Sequence, residues 1–98
     1  MDTFHKQIYE EFEITGDFSN VMTTDETLEA ASDVEACDKD DADAAAEILG
    51  ATDIQAQSIK VIVKSGTEIK SPYKITFKAV TSSGNKWELD VKMALKEI

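Results

Sequence analysis

Histidine and cysteine, the side chains most often used as general base, thiol nucleophile or transition-metal ligand, are scarce in this chain. It has one histidine, His5, and one cysteine, Cys37, among 98 residues that include 20 acids and 10 basic residues, all of them lysine. Acid–base or nucleophilic catalysis requires a reactive group with an orienting partner in hydrogen-bond reach, and no such dyad can be named from the spacing. His5 is expected on the surface of a mobile N-terminal segment, and Cys37 as a small, part-buried strand residue. Carboxylate pairs are plentiful, but so acidic a surface supplies them by chance. The sequence therefore assigns no catalytic residue, no cofactor-binding residue, no cofactor and no metal ligand, leaves partner-contacting residues unknown, and points to a protein that is not an enzyme.

The acidic stretch Asp38-Lys39-Asp40-Asp41-Ala42-Asp43 invites a test for calcium, since hard cations take clustered oxygen ligands. It fails the helix–loop–helix pattern. Counting from Asp38, Asp43 falls where that loop needs glycine and Leu49 where it needs a bidentate glutamate. An irregular loop site is the remaining option for residues 38–43. The four glycines, Gly16, Gly50, Gly66 and Gly84, lie too far apart for a phosphate-binding loop.

Charge narrows the partners further. The formal net charge is −10, which opposes nucleic-acid binding because phosphate contacts rest on lysine and arginine. Residues 1–53 hold 16 acids and 2 lysines, whereas residues 54–98 hold 4 acids and 8 lysines. In one folded unit that asymmetry is expected to give an acidic face and a basic face, suited to docking on a charged partner. Apolar runs such as Val61-Ile62-Val63 are far shorter than a membrane span. The opening Met1-Asp2-Thr3-Phe4-His5-Lys6 lacks the features of a secretory signal, and a single cysteine suits a reducing compartment. The expectation is a soluble protein that is not exported by that route.

The elements that would position any site are read from apolar periodicity. Alternation with a period of two marks strands at 58–64, 73–80 and 86–96. Their inward rows are Ile59, Val61 and Val63; Tyr73, Ile75, Phe77 and Ala79; and Trp87, Leu89, Val91, Met93 and Leu95. Turn clusters at Ser65-Gly66-Thr67 and Ser82-Ser83-Gly84-Asn85 separate them into a meander running from Ser58 to Ile98. A short strand is expected at 11–15 with Phe12 and Ile14 inward and a bend at Gly16-Asp17. A longer one is expected at 27–36 with Leu28, Ala30, Ser32, Val34 and Ala36 inward. Residues 36–49 stay open between strand and helix, with a short helix near 41–49 favoured by alanine and ended by Gly50. About seven short strands in one domain, 1–98, indicate an all-β, immunoglobulin-like antiparallel β-sandwich. Tyr73, opening a strand after a turn, is placed to form a tyrosine corner.

Several segments together resemble a group of small proteins encoded among the tail and fibre genes of tailed bacteriophages and prophages. They are Phe4-His5-Lys6-Gln7, Glu11-Phe12-Glu13-Ile14, Asp17-Phe18-Ser19, Asp25-Glu26-Thr27-Leu28, Val61-Ile62-Val63-Lys64-Ser65-Gly66-Thr67, Tyr73-Lys74-Ile75-Thr76-Phe77, Thr81-Ser82-Ser83-Gly84 and Glu88-Leu89-Asp90-Val91. The resemblance implies an immunoglobulin-like sandwich acting as a virion component or adaptor, without enzymatic role or cofactor. Its partners would be phage structural proteins rather than nucleic acid or membrane. It would be found in the host bacterial cytoplasm during assembly and then in the virion. The alanine- and aspartate-rich stretch 36–49 departs from the β-branched strand that such proteins would show there. The alternative from a different class is a stand-alone protein- or carbohydrate-binding module of a bacterial surface or secreted assembly.

Overall fold

The structure, a computed structural model, describes residues 1–97. Seven strands and one short helix follow in the order β1 (Asp2–Lys6), β2 (Phe12–Asp17), β3 (Asp33–Cys37), α1 (Ala45–Ile48), β4 (Leu49–Ile54), β5 (Ser58–Val63), β6 (Tyr73–Val80) and β7 (Lys86–Leu95). They form two sheets, β1-β7-β6-β3 and β2-β5-β4. The third, sixth and seventh strands share one sheet and the second, fourth and fifth the other, which is the division of an immunoglobulin sandwich. The first strand joins β7, in parallel; every other pairing is antiparallel.

The three expected C-terminal strands are present with nearly the expected bounds. Ile59, Val61 and Val63 of β5 are fully buried against Tyr73, Ile75 and Phe77 of β6, each such side chain contributing about 1.5–3 kcal/mol relative to exposure. The meander is only partly right: β6 and β7 form a hairpin, but β5 pairs with β2 and β4 in the opposite sheet. Periodicity gives a strand's inward face without saying which sheet receives it. The end of that stretch, Ile98, lies outside the described residues.

The N-terminal half needs more correction. The strand expected at 27–36 is β3 alone, Asp33–Cys37; residues 27–32 form a loop that carries one bridge, Leu28 to Thr81, and Ala30 is exposed. The 11–15 strand is β2, which continues through Gly16 and Asp17 instead of bending there. Residues 36–49 hold both options. Ala45–Ile48 is helical, too short to stand alone and held by the fully buried Ile48, and Leu49 opens β4 at once. The β4 strand escapes sequence reading because its register slips between Leu49 and Thr52, which breaks the alternation. Nor is the N-terminal segment loose: β1 pairs from Asp2 to Lys6, and His5 sits opposite Ala94. Its inward row of Asp2, Phe4 and Lys6 is two-thirds charged, so it does not read as a strand.

The expected acidic and basic faces do not form. The interior strands carry lysines, Lys60 on β5, Lys74 and Lys78 on β6, and Lys86 and Lys92 beside Glu88 and Asp90 on β7, while the flanking β2, β3 and β4 carry acids. Each ion pair among the described residues joins the two halves of the chain: Lys60–Glu13 at 4.0 Å, Lys70–Glu47 at 3.3 Å and Lys78–Glu35 at 3.0 Å.

Gly16 sets the spacing of the sheets. A Cβ there would lie 2.6 Å from Cγ of Phe77, closer than side chains tolerate, so β2 can approach β6 only without one. Gly16→Ala is expected to lower stability by about 1–3 kcal/mol through overpacking, read as an earlier midpoint in urea; an unchanged midpoint would show that Phe77 moves aside freely.

Candidate protein-interaction surface

The inward row of β7 is covered over only part of its length. Trp87, Leu89, Val91 and Met93 stand opposite Ala79, Phe77, Ile75 and Tyr73 of β6, so all four point toward the opposing sheet. Met93 and Leu95 are buried, but Trp87 is 38% and Leu89 36% exposed. Two features leave them open. Strand β1 pairs with β7 over Val91–Leu95, and no strand among the described residues pairs with the outer edge of Lys86–Asp90. On the facing sheet β2 is itself an edge strand, and at the level of Leu89 its inward position is Gly16, which offers no side chain. The expectation of a fully inward row at Trp87 and Leu89 is thus corrected: the direction is right and the cover is missing. Where β1 does reach, Phe4 meets Phe12 edge to face at 5.9 Å, though Phe12, expected inward, is itself exposed.

Polar groups inside the sandwich are consumed in bracing its loops. Tyr73, fully buried at the start of β6, accepts a hydrogen bond from the backbone N–H of Thr67 at 3.0 Å, and its hydroxyl donates to Oε1 of Glu47 at 2.6 Å. This is the tyrosine corner expected from position, extended by a carboxylate that the single turn of α1 presents. The hydrogen bond from Tyr73, and after it Lys70, holds the Glu47 carboxyl below its ordinary value. Burial, then Glu47, pushes the Tyr73 hydroxyl up. At the same end of the sandwich the buried Lys6 donates from Nζ to the backbone oxygens of Gln7, Ile8 and Ser65. Its desolvation lowers its pKa against the pull of Glu10, Glu11 and Glu97.

At the opposite end the buried carboxylate of Glu26 accepts from the backbone N–H of Thr23 and from Nδ2 of Asn85. It thereby ties the 18–32 loop to the β6–β7 turn. Hydrogen bonding, led by the Thr81 hydroxyl, depresses its pKa. Sequence reasoning passed over Lys6, Glu26 and Glu47, since a charged residue carries no sign of burial until its partners are placed.

The residues singled out from sequence lie apart. His5 is exposed on β1 and Cys37 half-buried at the end of β3, with Sγ 3.9 Å from Oδ1 of Asp41. The acids of 38–43 serve their own loop. Oδ1 of Asp38 accepts from the N–H groups of Asp40 and Ala42, and Oδ1 of Asp43 from that of Ala45. No cluster of three or more metal-ligating side chains occurs among the described residues.

The braces carry a pH dependence. A carboxyl whose folded pKa lies below its unfolded value, about 4.3 for glutamate, contributes stability that is present above that value and lost as pH falls through the folded one. Glu26 and Glu47 both act in this sense, so stability should drop on acidification below about pH 4.3. Tyr73→Phe should cost about 1–2 kcal/mol at neutral pH and flatten the acid limb of a melting-temperature profile, because Glu47 loses the main cause of its depression. An acid limb identical to that of the parent protein would remove Tyr73 from this role. No protein-family model matches the chain, and no curated protein sequence matches it.

Proposed function

We propose that the chain is a non-enzymatic structural or adaptor protein of a tailed phage or prophage, acting through protein contacts in tail or fibre assembly. The observation that carries the part about protein contacts is the partly exposed apolar pair Trp87 and Leu89 on β7, beside an edge that no strand among the described residues pairs with. An unpaired strand edge is a template for another strand, and aromatic and aliphatic side chains next to it supply the desolvated centre of an interface. The bracing of Tyr73, Lys6 and Glu26 supports the same reading. It uses polar groups to fix the loops, and no buried side-chain nitrogen or oxygen is left without a partner among the described residues. The setting in a virion rests on the resemblance of the segments named above. In that setting the protein is made in the host cytoplasm and ends in the particle, with phage structural proteins as partners.

A second reading, a stand-alone protein- or carbohydrate-binding module, is favoured by one observation. Trp87 is exposed enough to stack on a sugar ring.

Purified particles from a host that carries the gene distinguish the two. The chain should be present at a constant number of copies per particle, and deletion of its gene should give particles with defective tails or fibres. Normal, infective particles after deletion, with the chain absent from the parent particles, would overturn the proposal. A shift of Trp87 emission on adding host-surface glycans would then favour the second reading.

A further inference from the structure

We propose that the end of the sandwich braced by Lys6 and Tyr73 is a docking surface for a cationic segment of another protein, a contact separate from the β7 flank and beyond the reading above. Two tight turns define it. Gln7–Glu10 closes through a hydrogen bond from the Glu10 N–H to the Gln7 oxygen at 3.1 Å and another from the Gln7 N–H to Oε1 of Glu10 at 2.7 Å. Glu68–Ser71 closes through the Ser71 N–H, which donates to the Glu68 oxygen at 3.2 Å. Their central pairs are Ile8-Tyr9 and Ile69-Lys70. Turns favour Gly, Pro, Asn, Asp and Ser at such places, and neither pair supplies one. Tyr9 is 95% and Ile69 81% exposed, so the fold gains almost nothing from either side chain.

The two turns are fastened to each other. Lys6 donates from Nζ to the oxygens of Gln7 and Ile8 in the first and of Ser65 shortly before the second. Glu97 links them again: its carboxylate accepts from the Ile8 N–H at 2.8 Å, and its own N–H donates to Oε1 of Glu68 at 3.1 Å. The Lys39 N–H, donating to the Lys70 oxygen at 3.0 Å, ties in the 38–44 loop. Tyr9 and Ile69 are therefore carried on backbone that is already ordered, which removes much of the entropic cost of binding through loops. An exposed tyrosine on fixed backbone is the kind of anchor that dominates protein interfaces.

Charge selects the partner. Residues 6–11, 38–47, 64–72 and 96–97, which make up this end, hold nine acids, five lysines and no arginine. Two of those lysines are engaged, Lys6 by backbone oxygens and Lys70 by Glu47. Anionic lipid and nucleic acid are repelled by such a surface. A protein segment bearing arginine or lysine is attracted, its cation stacking on the Tyr9 ring and its aliphatic carbons covering Ile69.

A synthetic peptide of alternating arginine and leucine, titrated into the full chain from micromolar to millimolar concentration and followed by backbone amide shifts, should perturb residues 7–11 and 64–72 and spare the opposite end, residues 18–32. Added salt should weaken the binding, and a peptide of alternating glutamate and leucine should not bind. Tyr9→Ser and Ile69→Ser should each weaken it severalfold with the melting temperature unchanged, since neither side chain is buried. Asp25→Asn and Glu29→Gln, exposed at the far end, should leave the affinity nearly unchanged. Failure of the arginine–leucine peptide to bind at millimolar concentration overturns the inference, as does binding that is indifferent to both serine substitutions or equalled by the glutamate peptide. A fall in melting temperature in both serine variants overturns it too, because Tyr9 and Ile69 would then serve the fold. None of these outcomes bears on the particle experiment above, which turns on the presence of the chain in virions.

Discussion

Everything in this molecule hangs on the contact between β5 of one sheet and β6 of the other. Ile59, Val61 and Val63 face Tyr73, Ile75 and Phe77, and all six side chains are removed from water. Because the chain crosses between sheets in the β5–β6 connection, these two strands lie in opposing sheets, and their inward side chains share one core. The remaining strands then take the edges they leave. Gly16 is the condition for this meeting on the β2 side, since any side chain there would occupy the place of the Phe77 ring.

The crossing between sheets must also be held at its corner. Tyr73 does so from inside the core, fixing the backbone of Thr67 with its oxygen and reaching Glu47 with its proton. Lys6 reaches the same connection through Ser65 from the opposite edge. At the far end Glu26 performs a similar task for the 18–32 loop and the β6–β7 turn. A short chain buries a limited apolar area, and here charged groups supplement it by satisfying loop backbone that would otherwise need water. The result is a body whose loops are fixed at both ends by buried charged and polar groups.

Charge follows from topology in the same way. Lysines cluster late in the sequence and acids early, but the late strands sit inside the sheets and the early strands around them. Opposite charges are therefore neighbours within each sheet instead of segregating to two faces. Such exposed pairs contribute little stability individually.

The sequence alone determined the strands whose alternation is uninterrupted. β5, β6 and β7 could be listed residue by residue, because an apolar side chain at every second position can be buried only on one face of a strand. It also determined the corner role of Tyr73, which follows from a tyrosine placed just after a turn. Strands whose pattern is broken were out of its reach: β1, with Asp2 and Lys6 on its inward side, and β4, with its slipped register. Only the tertiary structure decided which sheet each strand joins, that β1 runs parallel to β7 for half its length, and that Trp87 and Leu89 point inward yet stay exposed. Periodicity fixes the direction of a side chain, whereas cover depends on what the facing sheet offers at that level, here Gly16, and that is a property of the assembled fold.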